Sequence, residues 1–292
     1  MSKKNQVEKV TTYEEYQQLR AVIRMLVRAR EDFQGMRKRM DNRMGRKADG
    51  EAQENLTERV FTAEDVAAFN EISDESRAME KDVEKKLERA LRRMPIYDWL
   101  KEQKGIGTIA MGHICGSFDI YKADTVSKLW QYAGMNPGLV HGKKRKEKGD
   151  SFEIIVTDDF IRGDKLTFGY VAPFNKALRT ALLGVMGDGF IKSQNRYCMD
   201  FYYPRKQRLE QEENTVEEIS KAGAKPKAVA WKDAKAAHRH RAAIRYMVKM
   251  FVADLYAAWR PLHGLNVRVP YQEEKLGHKH SKRATTQKKP ME

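Results

Sequence analysis

Between Thr12 and Met94 the apolar residues recur at steps of three and four, the period of an amphipathic helix. The first set runs through Tyr16, Leu19, Ile23, Leu26, Phe33, Met36, Met40 and Met44, with Thr12 and Glu15 at capping-box spacing ahead of it. A polar break from Gly45 to Asn55 follows. The pattern then resumes behind Thr62 and Asp65 as Val66, Phe69, Ile72, Met79, Val83, Leu87, Leu91 and Met94. Two long helices joined by a polar loop are predicted. They can pair as an antiparallel hairpin or dimerise along the same stripe, and the sequence leaves both packings open. The methionines of the stripe read as adaptable core or interface residues.

Pro95 breaks the run, and the chain to Pro137 again reads as mostly helical. Gly105-Ile106-Gly107 separates the apolar positions Ile96, Trp99 and Leu100 from Ile109, Ala110 and Ile114. Glycines one residue apart allow a tight turn and bring bare backbone near a ligand, and a helix beginning at Thr108 offers unpaired N–H groups to a phosphate. A cap glycine followed by a packing glycine has the same spacing. Next, His141, Lys143, Lys144, Arg145, Lys146 and Lys148 fall in one polar stretch that reads as an exposed basic loop. Residues 151–170 carry the strand signal, two β-rich runs separated by Asp158 to Asp164, so a small β-hairpin is expected there.

Three further helices are predicted: Pro173 to Asn195 with Leu178, Leu182, Leu183 and Val185 inward, Asp200 to Ser220, and Ala228 to Trp259. The last has an inward stripe of Ile244, Met247, Val248, Phe251, Leu255 and Trp259, and a basic face at Arg239, Arg241, Arg245 and Lys249. The expected fold is therefore mainly α. A helical hairpin or coiled coil spans 1–94, a second helical domain spans 95–265 with a β insertion at 151–170, and a basic tail of low apolar content spans 266–292.

Charge changes the picture in one respect. The 56 Lys and Arg outnumber the 41 Asp and Glu, giving a formal charge of +15. The first hundred residues are nearly neutral, so almost all the excess lies beyond Leu100, where the glycine turn and the basic stretch are. That asymmetry favours a polyanionic partner. No apolar run reaches the length of a membrane span and the charged start is not that of a signal peptide, so no membrane contact and a cytoplasmic, nucleoid-associated prokaryotic setting are expected. Cys115 and Cys198 sit among apolar neighbours and read as buried thiols. His238 and His240 lack further ligands at metal spacing, and Asp158, Asp159 and Asp164 read as turn formers, so no metal or other cofactor is expected in this chain.

The candidate nucleic-acid contacts are Gly105, Ile106, Gly107 and Thr108; Lys143, Lys144, Arg145, Lys146 and Lys148; and Arg179, Arg239, Arg241, Arg245 and Lys249. A second basic cluster, Arg37, Lys38, Arg39, Arg43, Arg46 and Lys47, ends the first long helix.

The order of these pieces resembles the C-terminal domain of the bridge-RNA-guided insertion-sequence transposases of the one-one-zero family, preceded by their coiled coil. The matching positions are Gly105, Ile106 and Gly107; Phe118, Leu129, Tyr132, Ala133 and Gly134; Asn175, Leu178, Arg179 and Leu182; Phe201, Tyr202, Arg205 and Lys206; and Arg245, Tyr246, Lys249 and Leu255. The resemblance covers roughly residues 95–262. It implies DNA and a structured guide RNA as partners and self-association through the coiled coil. Such transposases also carry a RuvC-like nuclease domain with a metal-binding acidic set, and the resembling domain supplies a nucleophilic serine.

Here the first 95 residues show helical periodicity throughout, without the strand–helix alternation of a RuvC-like domain. The position of the family's serine is occupied by Val140-His141-Gly142, and the serine between Gly134 and Asn175 is Ser151, the candidate nucleophile. The expectation is a transposase-derived DNA- and RNA-binding protein without self-sufficient catalysis. The alternative is an active DNA transposase or recombinase served by a RuvC-like subunit in trans, which would bring its own Mg²⁺. A coiled-coil interaction protein is the third reading.

Overall fold

Two capping boxes start the long helices. Thr12 Oγ1 accepts from the Glu15 N–H at 3.2 Å while Glu15 Oε2 accepts from the Thr11 and Thr12 N–H groups. Thr62 and Asp65 repeat the exchange at 3.2 and 2.9 Å. In the computed structural model, which describes residues 7–43, 62–148, 151–218 and 227–269, these caps begin α1 (Tyr13–Arg43) and α2 (Ala63–Leu91). The fold is mainly α, with antiparallel strand pairs added. By internal contacts the chain divides into two units, 1–100 with 107–117 and 101–106 with 118–292.

In the first unit α1 and α2 pair as an antiparallel hairpin. Val10 N–H donates to the Arg93 carbonyl at one end, Arg30 pairs with Glu84 at 2.9 Å midway, and Ser73 Oγ donates to Asp41 at 2.7 Å at the other. The part of the predicted stripe nearest Met94 supplies the core, with Tyr16, Ile23, Leu87, Leu91 and Met94 fully buried, whereas Met36, Ile72 and Met79, expected on the same stripe, are exposed. A short helix, α3 (Tyr97–Glu102), follows, and then α4 (Thr108–Ser117), whose glycines let it lie close to the hairpin. A Cβ on Gly112 would stand 2.6 Å from Val27 Cγ2 and 3.0 Å from Leu87 Cδ2. Two arginines of α1 close the C-terminal end of α4, where helix carbonyls lack partners. Arg24 Nε and Nη2 donate to the Gly116 carbonyl at 3.2 and 3.1 Å, and Arg20 Nη2 donates to Ser117 at 3.1 Å.

The second unit is organised around α9 (Ala236–Trp259), whose predicted stripe is buried throughout. Before it come α5 (Val126–Tyr132), strands β1 (Leu139–Lys148) and β2 (Ser151–Arg162), α6 (Lys176–Thr180), α7 (Gly187–Lys192), α8 (Tyr203–Leu209), and a small pair β3 (Thr215–Glu218) and β4 (Lys227–Ala230). Two π-helical stretches, Ala181–Met186 and Cys198–Tyr202, widen the helical path. The first of them moves a predicted core position. Leu178, Leu182, Met186 and Phe190 are buried at steps of four, while Val185, expected inward, is exposed. A π turn holds more residues than an α turn, so the buried face advances by four where 3.6 would have drifted off it.

The strand expectation needs a larger correction. The hairpin occupies 139–162, not 151–170, and the basic stretch expected as a loop is its first strand. β3, β4 and a 3₁₀ turn at Trp231–Asp233 replace the ends of two predicted helices. The predicted tail from Pro270 onward, the Gly45–Asn55 break, Arg46 and Lys47 lie outside the described residues. Among the described residues no helix is long and apolar enough to cross a membrane.

Candidate functional site

Arg245 and Lys249 are four residues apart on α9 and so share one face. Arg179 comes from α6, whose start is fixed by Asn175: its Oδ1 accepts from the Leu178 N–H at 3.0 Å, and its own N–H donates to the Tyr132 carbonyl at 2.9 Å. The structure brings these three cations together. Burial and the charge of Arg245 push the Lys249 ammonium below its ordinary value, and the same two causes lower Arg179. Each side chain is half-buried.

The walls of the cluster are aromatic. The Arg179 guanidinium lies 4.7 Å from the Phe174 ring and donates from Nη1 to the Asp164 carbonyl at 2.6 Å. The Lys249 ammonium lies 4.5 Å from the Trp130 ring. Arg245 Nε is buried without a hydrogen-bond partner among the described residues. Like charges held together in a partly dry setting repel, and an anion placed among them would relieve that repulsion and supply the missing acceptor.

The β1–β2 ribbon rises from the same place. Gly163 N–H donates to Gly138 at 2.8 Å, and Val171 N–H donates to the Lys143 carbonyl at 2.6 Å. Asp164, whose carbonyl binds Arg179, holds Arg162 through both carboxylate oxygens at 3.0 and 3.1 Å. Asp159 accepts from Tyr170 OH at 2.6 Å and faces Lys144 at 3.4 Å. These carboxylates are occupied by hydroxyl and cationic partners, which does not suit a divalent metal. Among the described residues no group of three His, Cys, Asp or Glu is placed to hold one.

The other predicted positions divide by what they touch. Lys143, Arg145, Lys146 and Lys148 are exposed on β1, while Lys144 lies 4.5 Å from the Tyr170 ring. Arg241 is exposed on α9. Arg239 turns back on the chain instead, donating from Nη1 to the Lys232 carbonyl at 2.9 Å and to the Ala234 carbonyl, so it braces the turn before α9. Gly105 has φ +90°, and a Cβ there would meet the Gly189 carbonyl oxygen at 2.5 Å; its bareness serves contact with α7. Asn195 Nδ2 fixes the same turn by donating to Lys104 O at 2.6 Å. Ile106 is buried. Gly107 and Thr108, which belong to the first unit, open α4, with the Met111 N–H donating to the Gly107 carbonyl at 3.0 Å.

Ser151 begins β2, and its hydroxyl donates to the Lys148 carbonyl at 3.1 Å, which ties it to closure of the hairpin. His240 Nδ1 shares a 2.6 Å hydrogen bond with Tyr202 OH, and the His238 ring packs 5.2 Å from Trp231. Arg37 of the first helix, part of the second basic cluster, faces Glu80 at 3.1 Å and Asp41 at 3.2 Å. A concavity of the first unit, lined by Val7, Glu8, Lys9, Arg92, Tyr97 and Asp98, contains the Lys9–Asp98 ion pair at 3.0 Å and none of the predicted site residues. Both cysteines are free and buried, and burial pushes the Cys115 thiol up to about 12.

No protein-family model matches the chain, and neither a curated protein nor a solved structure matches it. Sequence reasoning named Arg179, Arg245 and Lys249 one by one. It missed Trp130 and Phe174, whose sequence signal is their place beside Tyr132-Ala133-Gly134 and Asn175, and it read Asp164 only as a turn former.

Proposed function

We propose that this chain binds nucleic acid through its second unit, as a transposase-like grip without its own cleavage chemistry. The observation that carries the reading is the cluster of Arg179, Arg245 and Lys249, three cations half-buried together, two of which are lowered by burial and by the charge of Arg245. Proteins neutralise isolated buried charges with carboxylates; here Arg179 hydrogen-bonds a carbonyl, the Asp164 carboxylate that attracts it is already held by Arg162, and Arg245 Nε has no partner among the described residues. A phosphate is the anion that fits aromatic-walled, guanidinium-rich surroundings. The basic ribbon beside it and the concentration of the chain's positive charge beyond Leu100 support the same reading.

Within this proposal the partners are DNA and a structured RNA, and self-association runs through the helices of the first unit. In the alternative reading the chain is part of an active transposase or recombinase in which a separate RuvC-like subunit with its own Mg²⁺ would cleave the strand. The resemblance of the motif order to the one-one-zero family is the reason for choosing those partners over other polyanions.

The test is binding of the full chain to duplex DNA and to folded RNA across a salt series. Affinity should fall steeply with salt, by about 0.9 in log–log slope for each phosphate neutralised on duplex DNA. Arg179→Gln and Arg245→Gln should each lower the affinity and reduce that slope. Absence of binding at low salt, or a slope the two variants leave untouched, would sink the reading.

A further inference from the structure

The β1–β2 ribbon is an unusual surface. Cross-strand partners share a face, so Lys143, Arg145 and Glu147 stand on the same side as Val156, Ile154 and Phe152. Those three apolar side chains are 64%, 50% and 55% exposed. The opposite side carries Lys144, Lys146 and Lys148 with Ile155, Glu153 and Ser151.

The two sides are treated differently by the rest of the chain. On the second side Lys144 is held by Asp159 and the Tyr170 ring, and Lys148 faces Glu153 at 3.8 Å. On the first side Lys143 and Arg145 make no ion pair among the described residues, and Arg145 is stacked 4.6 Å from the Phe152 ring. Every exposed apolar residue there faces a charged residue across the strand, so no purely apolar patch forms of the kind that cores a protein interface.

We infer that this first side of the ribbon enters the major groove of double-stranded DNA, with Lys143 and Arg145 toward phosphates and base edges and Phe152, Ile154 and Val156 against the groove floor. The inference rests on the nucleic-acid reading above and adds to it a groove, a face and a form of helix. Dimensions choose the groove. Two strands spaced about 4.8 Å apart, with their backbones, are roughly 10 Å across. The B-form major groove, about 12 Å wide, accepts that width, while a minor groove of about 6 Å does not. The A-form major groove of RNA is too narrow and deep for side chains to read. The apolar residues also have a ligand there, since the thymine methyl group lies on the major-groove edge.

The placement is continuous with the cation cluster. Arg179 Nη1 binds the carbonyl of Asp164, two residues beyond the end of β2, so the cluster sits at the root of the ribbon. A phosphate held by the cluster would put the backbone of a duplex beside the arm. From there the six paired positions Lys143–Lys148 extend roughly 20 Å, enough to follow the groove for about half a turn.

The experiment compares the full chain on two duplexes of identical sequence, about 30 base pairs long, one carrying glucosylated 5-hydroxymethylcytosine in place of cytosine. The sugar fills the major groove and leaves the phosphates and minor groove as they were. The wild-type chain should bind the filled duplex about tenfold more weakly. A variant with Phe152→Thr, Ile154→Thr and Val156→Thr, which keeps β-forming residues at exposed positions, should bind both duplexes alike at the weaker level. Ile155→Thr on the other side should retain the discrimination. Equal wild-type affinity for the two duplexes, with salt-dependent binding intact, would overturn the groove assignment alone. Loss of discrimination in Ile155→Thr would overturn the choice of face. Failure to bind either duplex at low salt would remove the nucleic-acid reading on which the inference stands.

Discussion

Trp130 and Lys249 hold each other at two points: the ammonium lies 4.5 Å from the indole ring, and indole Nε1 donates to the Lys249 carbonyl at 3.1 Å. The ring thereby fixes both the helix backbone and the cation above it. Burial and Arg245 push this ammonium down, so the folded chain releases its proton more readily than the unfolded chain. The charge weakens the fold below the ordinary lysine range, and the penalty fades as pH rises from the folded value towards the unfolded one. Lys249→Met should therefore leave the thermal midpoint unchanged or raise it. It should also flatten the salt dependence of duplex binding by about one phosphate, a slope change near 0.9. Calorimetry and a salt titration on the same preparation check the pair.

Gly105 and Gly189 test whether the glycine turn serves packing. Gly105→Ala places a Cβ 2.5 Å from the Gly189 carbonyl oxygen at φ +90°, and Gly189→Ala drives a Cβ closer still to the Gly105 oxygen. Each should cost roughly 2 kcal/mol or more in urea unfolding. Any loss of binding should disappear once the fraction folded is taken into account.

Arg239 and Arg241 are two residues apart and do different work. Arg239→Gln should destabilise the chain by about 2 kcal/mol, since carbonyls of the Trp231–Ala234 turn lose their cationic donor. Arg241 is exposed, so Arg241→Gln should stay within about 0.5 kcal/mol of the parent. Its effect should appear only as weaker binding at low salt. Unfolding and anisotropy measured side by side separate the two.

His113 gives the first unit a pH dependence. Burial pushes its imidazole below the ordinary value and Arg30 adds to that, against the pull of Glu31 at 3.1 Å. Below a pH of about 6.5 the unfolded chain takes up a proton that the folded chain resists, so stability falls as pH drops towards the folded value. His113→Gln should flatten urea midpoints between pH 5 and pH 7. A slope that survives the substitution would assign the effect to other groups.

Much of the helical architecture was legible because its signals are local. Thr12-x-x-Glu15 and Thr62-x-x-Asp65 make the caps their spacing predicts, and the Ile244 to Trp259 stripe is buried as its period requires. β1 was illegible for a physical reason: consecutive cations at Lys143 to Lys146 have no alternation, because both sides of a projecting ribbon are open to solvent. Its strand form comes from pairing with β2, a partner that local pattern does not name. Val185 was misplaced because an α-helical period was applied across a π turn. The cation cluster joins Arg179 to residues more than sixty positions away, and only the packing of the helical path after α6 against α9, close enough that a Cβ on Gly187 would stand 2.8 Å from Ile244 Cγ2, puts one charge within reach of another.

The π turn at Ala181–Met186 also gives the chain a place where its length can change without disturbing the packing beyond it. Gly184 is exposed and a side chain there would touch nothing, and removing it would turn the wide turn into an α-helical one that leaves Leu178, Leu182, Met186 and Phe190 at steps of four, three and four, still one face of a helix. Phe190 would keep its places 5.5 Å from Tyr197 and 5.3 Å from Phe251, and Gly189 would still face Gly105. Among descendants of this sequence, substitutions should accumulate freely at 184 and a one-residue deletion between 183 and 185 should be tolerated, whereas a one-residue deletion in the α-helical turn Gly187–Lys192 should be purged.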